Sequence, residues 1–305
     1  MRVLNLFNRE LKYISNDMLE MVHNQGFDCI QISPVQPTKE EFNNVWWMLY
    51  QPINFSVGNR ICSRMDLQDF CSRCKEHGIH VIVDTVINHL AGGNSPEEAL
   101  TPNYQDDRDL LRNYDAWKHT PNLVGDDWND RYKVTHYNMG LPGLNPDNQM
   151  VRDKVIGFMN DLIDLGVDGF RLDAAKSIAL PEEGSDFFPV ITYSLKKPVF
   201  VIYGEVINTP EEYIHKYAKY MKVLTDVNIS HNQDEVVRFA ETKDNFLSDG
   251  NIGYTKGLPA SEITNRYVNL TGNYPNTLYY SRNNWECDEY KSYKVRDANK
   301  VMVRK

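Results

Sequence analysis

No run in this 305-residue chain approaches the ~18 consecutive apolar residues that a membrane-spanning helix needs. The opening MRVLNLFNRE also lacks the long apolar stretch of a secretory leader and reads as a strand, so the chain is expected to start inside its fold. An excess of basic charge is missing as well. Lys and Arg number 33 against 42 Asp and Glu, for a net charge of −9. That excludes the basic face of a nucleic-acid binder and leaves a neutral or weakly charged substrate as the expected partner. There is no glycine-rich phosphate turn after an early strand, which argues against an open doubly wound nucleotide-binding sheet. Cysteine is scarce: five residues, with one CxxC spacing at Cys71 and Cys74 inside a stretch that reads as a helix. Without a second pair these are expected to be ordinary thiols. The odd count and the missing leader together predict a reducing, cytoplasmic setting with no membrane partner.

What the chain does have is an alternation of short apolar strands and amphipathic helices. With 41% hydrophobic residues it can bury a large core. Strands are predicted at Val3–Phe7, Cys29–Ser33, Ile79–Asp84, Val167–Asp173, Val199–Glu205, Val223–Asp226, Val236–Glu241 and Thr277–Ser281. One helix is predicted over Asn16–Asn24. A second follows the capping-box spacing of Ser63 and Asp66, with Leu67, Phe70 and Cys74 on one face. A third carries Val151, Val155, Phe158, Leu162 and Leu165 at helical spacing. About eight strand–helix units at this length predict an α/β fold of the (β/α)8 TIM-barrel type. The polar stretch from residue 90 to 145, rich in Asp and Asn, is too long for a simple connection. It is expected to be a small inserted subdomain after the third strand, with residues 1–89 and 146–305 forming the barrel.

Barrel enzymes carry their reactive groups at the carboxyl ends of the strands, and three of the predicted strands stand out there by finishing in a carboxylate with a polar neighbour. They supply Asp84 with the nearby His89, Arg171 with Asp173, and Glu205. Strand alternation points Arg171 and Asp173 the same way. A guanidinium beside Asp173 favours its ionised form, which suits a nucleophile. Glu205 follows an apolar run and a glycine, a setting expected to keep it protonated as a general acid. An ionised and a protonated carboxylate about 5 Å apart equip a chain to cleave glycosidic bonds with retention. A plainer role for Asp173 is to cap the helix that follows it.

The segments DTVINH, GFRLDAAKS and YGEV together resemble the first three conserved regions of the α-amylase family, and ETKDNF resembles the fourth in altered form. WWMLYQP, GSDFFP, GYTKGLP and YPNTLYYSR are similar to further amylase segments. The resemblance implies a nucleophile at Asp173, a general acid/base at Glu205 and a third, substrate-binding acid at Asp244. It implies support around the cleaved sugar from Asp84, His89 and Arg171, an aromatic platform at Tyr50 with Gln51 beside it, and sugar-stacking residues at Trp46 and Trp47. Lys176 matches an acceptor-side position. The substrate class it implies is an α-1,4-linked glucan.

The departures carry their own expectations. Ser177 and Lys243 stand where the family has histidines, and a lysine is a flexible point charge rather than a fixed ring. Weakened catalysis or altered specificity is expected. Calcium would use Asn88, but Gly143 in GLPGL stands where the family has an aspartate, and position 177 has lost its family residue. Calcium favours carboxylates among its oxygens, so a weakened site is expected, with Asp126, Asp127 or Asp130 the carboxylates left to substitute. Thr242 in place of an asparagine predicts no chloride. After YYSRNNW only a short helical tail is expected, so the all-β domain that usually follows the barrel is read as absent, and a partner or a second copy of the chain is a candidate to cover the apolar surface left there. Three functions remain open on these residues: a hydrolase, a transglycosylase of the same family, and a degenerate glucan-binding or structural protein.

Overall fold

The computed structural model describes residues 1–39, 45–247, 255 and 257–281. Eight parallel strands close into a barrel in sequence order: β1 (Arg2–Leu6), β2 (Cys29–Ile32), β3 (His80–Val86), β4 (Gly169–Asp173), β5 (Val201–Glu205), β6 (Lys222–Thr225), β7 (Val236–Phe239) and β8 (Thr277–Tyr280). β8 pairs with β1 and seals the ring. Alternation along each strand sorts the core into two layers. Val3, Cys29, Ile82, Tyr203 and Leu224 pack together in one cluster, while their neighbours Leu4, Ile30, Val81, Val83 and Val223 belong to a second, larger one with the helices. The first is the barrel interior and the second the layer between strands and helices.

The helices follow from caps and spacing. α1 (Asn16–Asn24) starts where Ser15 accepts from the Met18 N–H. α2 (Arg64–Glu76) starts with both bonds of the capping box between Ser63 and Asp66. Cys71 and Cys74 lie on its buried face as free thiols, and burial pushes the Cys71 thiol up to about 12. The long helix α5 (Gln149–Asp164), capped by Asn148, buries Val155, Phe158, Met159 and Leu162 against the barrel. Smaller helices α6 (Phe187–Tyr193) and α7 (Glu211–Tyr217) follow β4 and β5, and α9 (Ala260–Asn273) precedes β8. Between β6 and β7 the described chain has only a 3-10 turn at Gln233–Glu235, so the sixth unit is trimmed.

Residues between β3 and α5 carry two short helices, α3 (Arg108–Arg112) and α4 (Arg131–His136), and isolated bridges such as Trp117↔Leu144. Leu90, Leu110, Ala116, Trp117 and Leu144 gather there with Val151 into a separate small core. The Trp117 ring N–H donates to the Leu110 carbonyl at 2.9 Å, so the buried indole keeps a partner. The predicted helical tail and the covering second copy fall on residues 282–305, outside the described residues, as does part of GYTKGLP.

Candidate active site

The carboxyl ends of β3, β4 and β5 bring their charged residues to one point. Register places Asp84 beside Arg171 and Arg171 beside Tyr203. The Arg171 guanidinium then contacts three carboxylates: Asp84 at 2.7 Å and Asp173 at 2.5 Å through Nη1, and Glu205 at 2.7 Å through Nη2. Burial opposes the arginine's charge, but Asp84, Glu205 and Asp173 outweigh it and hold the guanidinium charged. Asp84 lies beneath the others. Burial, resisted by Arg171, raises its carboxyl to about 6. Its second oxygen accepts from the Tyr50 hydroxyl at 2.8 Å, and the Tyr50 carbonyl is 2.9 Å from His89 Nε2. Asp84 thus holds the Tyr50 hydroxyl while His89 holds its backbone carbonyl.

Glu205 reaches its place through a close backbone approach. A Cβ on Gly204 would sit 2.7 Å from the Ala175 Cβ and 2.6 Å from Met221 Sδ, so only glycine lets the turn after β4 lie against β5. In that turn Ala174 adopts a left-handed φ of 48°. Such a conformation at a non-glycine costs on the order of 1–3 kcal/mol. It aims the Ala174 N–H at Glu205 Oε2, 3.0 Å away. Asp173 does not cap this turn. The capping position is Ala174, with no side-chain bond, so the helix-cap reading of Asp173 is excluded.

Asp244 enters from the opposite wall, in the short helix α8 (Lys243–Phe246), whose start is capped by Thr242. The adjacent Lys243 ammonium binds both Asp244 oxygens at 2.8 and 2.9 Å, sits 3.9 Å from Glu205 Oε1, and lies 4.5 Å from the centre of the Tyr50 ring. This overturns one expectation. Burial does push Glu205 toward its neutral form, but Arg171, Lys243, the Ala174 N–H and Lys176 together outweigh it and lower its carboxyl to about 2. Glu205 is ionised in the free site, not protonated. The apolar run of β5 was a poor guide because two cations from other elements converge on its end. Asp244 shifts the other way: burial and the charge of Glu205 raise it despite Lys243.

These groups line a cavity of about 500 Å³ with Trp46, Trp47, Tyr50, Gln51, His89 and Lys176 around them. Trp46 and Trp47 are both half-buried, and Trp46 packs edge-on to Tyr50. Asp84 and Arg171 stand behind this surface rather than on it. Sequence reasoning missed Trp128, Met139, Leu141, Ile207 and Asn208, which also line the cavity. Trp128 covers the Lys176 ammonium at 4.6 Å. A lone tryptophan in the acidic, otherwise apolar-poor GDDWND was the available signal for it.

The residues present do not fit calcium. Asn88 Oδ1 is buried without a hydrogen-bond partner, as a ligand oxygen would be. The carbonyl of Ser177, however, accepts from the Lys118 ammonium at 3.1 Å. A side chain at position 143 would collide with that lysine's stem, its Cβ only 2.8 Å from Lys118 Cδ. The expected substitutes lie elsewhere: Asp127 and Asp130 pair with Lys133, Asp130 also caps α4, and Asp126 is exposed. A cationic side chain and a missing carboxylate are the wrong donor set for a divalent ion.

Comparison with known proteins matches residues 11–191 to the α-amylase catalytic domain. An α-amylase of Clostridium acetobutylicum is 34% identical over 213 residues, 65% of this chain and 27% of the relative. An α-amylase-related protein of Drosophila auraria is 34% identical over 185 residues, 58% of this chain and 37% of the relative. The chain thus spans well under half the length of these relatives. Among solved structures, α-amylase I of Eisenia fetida superposes with a TM-score of 0.77 at 20% identity, over 96% of this chain and 69% of that one. A variant of the same enzyme in complex with maltohexaose superposes with a TM-score of 0.78 at 18% identity, over all of this chain and 72% of that one. With the family's domain matched over more than half its length and a closed eight-stranded barrel beneath it, this chain belongs to the α-amylase family of glycoside hydrolases.

Proposed function

We propose that the chain is a retaining glycosidase that cleaves α-1,4-glucosidic bonds in glucans or malto-oligosaccharides. The observation that carries this reading is the Arg171 guanidinium, which holds Asp173 and Glu205 on its two terminal nitrogens at the floor of one cavity. Two carboxylates gripped by one planar group stay close together, as a double-displacement mechanism needs; an inverting pair stands farther apart to admit water.

Asp173 attacks the anomeric carbon as the glycosidic oxygen leaves, forming an ester between enzyme and sugar. Glu205 gives its proton to that oxygen, then takes one from the incoming water or sugar hydroxyl as the ester is released. Tyr50, Trp46 and Trp47 offer flat faces for the pyranose rings. Asp244 and Lys243 face the hydroxyls of the sugar being cleaved. Glu205 must gain a proton before it can act as the acid, so substrate has to draw Lys243 away from it or the acid works from a minor protonated form.

That requirement favours a second reading. Lys243 contacts both Asp244 and Glu205, and a site that binds a glucan without cleaving it is that second reading. Product analysis of purified protein with maltoheptaose, beside an Asp173→Asn control, separates the readings. Shorter sugars that disappear in the control are expected; longer ones would indicate transfer to a sugar acceptor. Binding without products would replace the glycosidase reading with the binding one.

A further inference from the structure

Two cationic side chains of the segment between β3 and α5 grip consecutive carbonyls of the turn after β4. Lys118 Nζ donates to the Ser177 carbonyl at 3.1 Å, and Arg131 Nη1 donates to the Lys176 carbonyl at 2.8 Å. Arg131 is itself held by Glu183 through two bonds of 2.9 and 2.7 Å. The turn they grip is the one whose first residue, Ala174, donates to Glu205 and whose Lys176 reaches into the cavity.

The lysine is locked from both ends. Its backbone N–H donates to the Gly143 carbonyl at 2.8 Å, and its stem lies in the space a side chain at 143 would occupy. Gly143 in turn pairs with His89, and the Leu144 N–H donates to the Asn88 carbonyl. Asn88, Gly143 and Ser177 are the three positions at which the family resemblance implied calcium contacts, and the stem or ammonium of Lys118 touches two of them.

We propose that the Lys118 ammonium is this chain's covalently attached substitute for the divalent cation, latching the inserted segment to the barrel without metal. The latch requires one positive charge at the Ser177 carbonyl and a residue without a side chain at 143. Lys118 is a positioning residue here. It acts on the turn that orients Glu205 and Lys176, and the inference does not depend on turnover.

Thermal unfolding of the full chain with excess EDTA and with excess calcium chloride is the first test. The Tm is expected to be the same in both. A metal held at roughly a hundred times its Kd would separate them by about 4 °C, and such a separation would overturn the proposal. The paired variant Lys118→Ala with Gly143→Asp empties the lysine's place and restores a carboxylate. It is expected to gain a calcium-dependent rise in Tm that EDTA reverses; no response would show that Lys118 does not stand at the cation's position. Should that variant not fold, Lys118→Met and Lys118→Arg decide the matter by limited proteolysis between residues 119 and 128. Loss of one charge-assisted hydrogen bond predicts nicking ~10-fold faster or more in the Met variant, with wild-type resistance kept by Arg. Equal rates in wild type and Lys118→Met would sink the idea.

Discussion

Lys243 is the side chain that most changes what this site can do. It sits among Asp244, Glu205 and the Tyr50 face, where a sugar's hydroxyls have to be received. Because it lowers the carboxyl of Glu205, it moves the acid away from the pH at which it is useful. The basic limb of the kcat/KM profile reports the free enzyme's acid, and with Arg171 and Lys243 lowering Glu205 that limb is expected on the acidic side of an ordinary carboxyl. Lys243→Ala removes one opposing charge and should raise the limb by about 1–3 pH units. A pH–rate series on maltoheptaose reads this directly, and an unmoved limb would mean that Glu205 is not the acid. Lys243→His should raise turnover on starch if the lysine is a handicap; a fall would assign the lysine a task of its own. The same lowered value has a stability sign. The ionised Glu205 contributes stability above its ordinary 4.5, and that contribution is lost as pH falls toward 2.

At the scale of elements, α2 shows how local chemistry sets a boundary that the barrel then uses. Ser63 Oγ accepts from the Asp66 N–H at 3.2 Å and Asp66 Oδ2 accepts from the Ser63 N–H at 2.8 Å. This closes two of the orphan donors at the helix start. The helix then lays Leu67, Phe70, Cys71 and Cys74 into the layer outside β2 and β3. Ser63→Ala should cost about 1 kcal/mol, read as a loss of ~1–2 °C in thermal unfolding. Asp66→Ala should cost a similar amount, and the double variant less than the two combined, because both remove one reciprocal motif. Full additivity in that cycle would show that the two caps act independently.

For the molecule as a whole, the charges at the barrel mouth act as a seam as well as a site. Arg171 ties the ends of β3, β4 and β5 through Asp84, Asp173 and Glu205, all largely shielded from water. Removing that guanidinium leaves the buried Asp84, Asp173 and Glu205 facing one another, with Lys243 still 3.9 Å from Glu205. Arg171→Met should therefore lower unfolding stability by about 3–5 kcal/mol at neutral pH. The deficit should shrink at acidic pH, since protonation of the unpaired carboxylates relieves their repulsion. Denaturant titrations at both pH values test this, and an equal loss at both would show that the arginine acts through packing alone.

Much of this was written in the sequence because it is local. The capping box of α2, the apolar spacing of α5 and the eight short strands are set by neighbours a few residues apart, and each observed strand falls within about two residues of its predicted place. Arg171 and Asp173 share a strand face for the same reason. What the tertiary structure alone decided is where charges from distant segments meet. Glu205 reads as a protonated acid from its own strand, and becomes a carboxylate because Arg171 and Lys243, 34 positions back and 38 ahead, arrive within reach of it. Lys118, 59 residues from the carbonyl it binds, carries no mark in the sequence of its role at the expected metal position. Backbone propensity and periodicity act over one or two turns of chain; Coulomb interactions act through space, and only the closed barrel determines those distances.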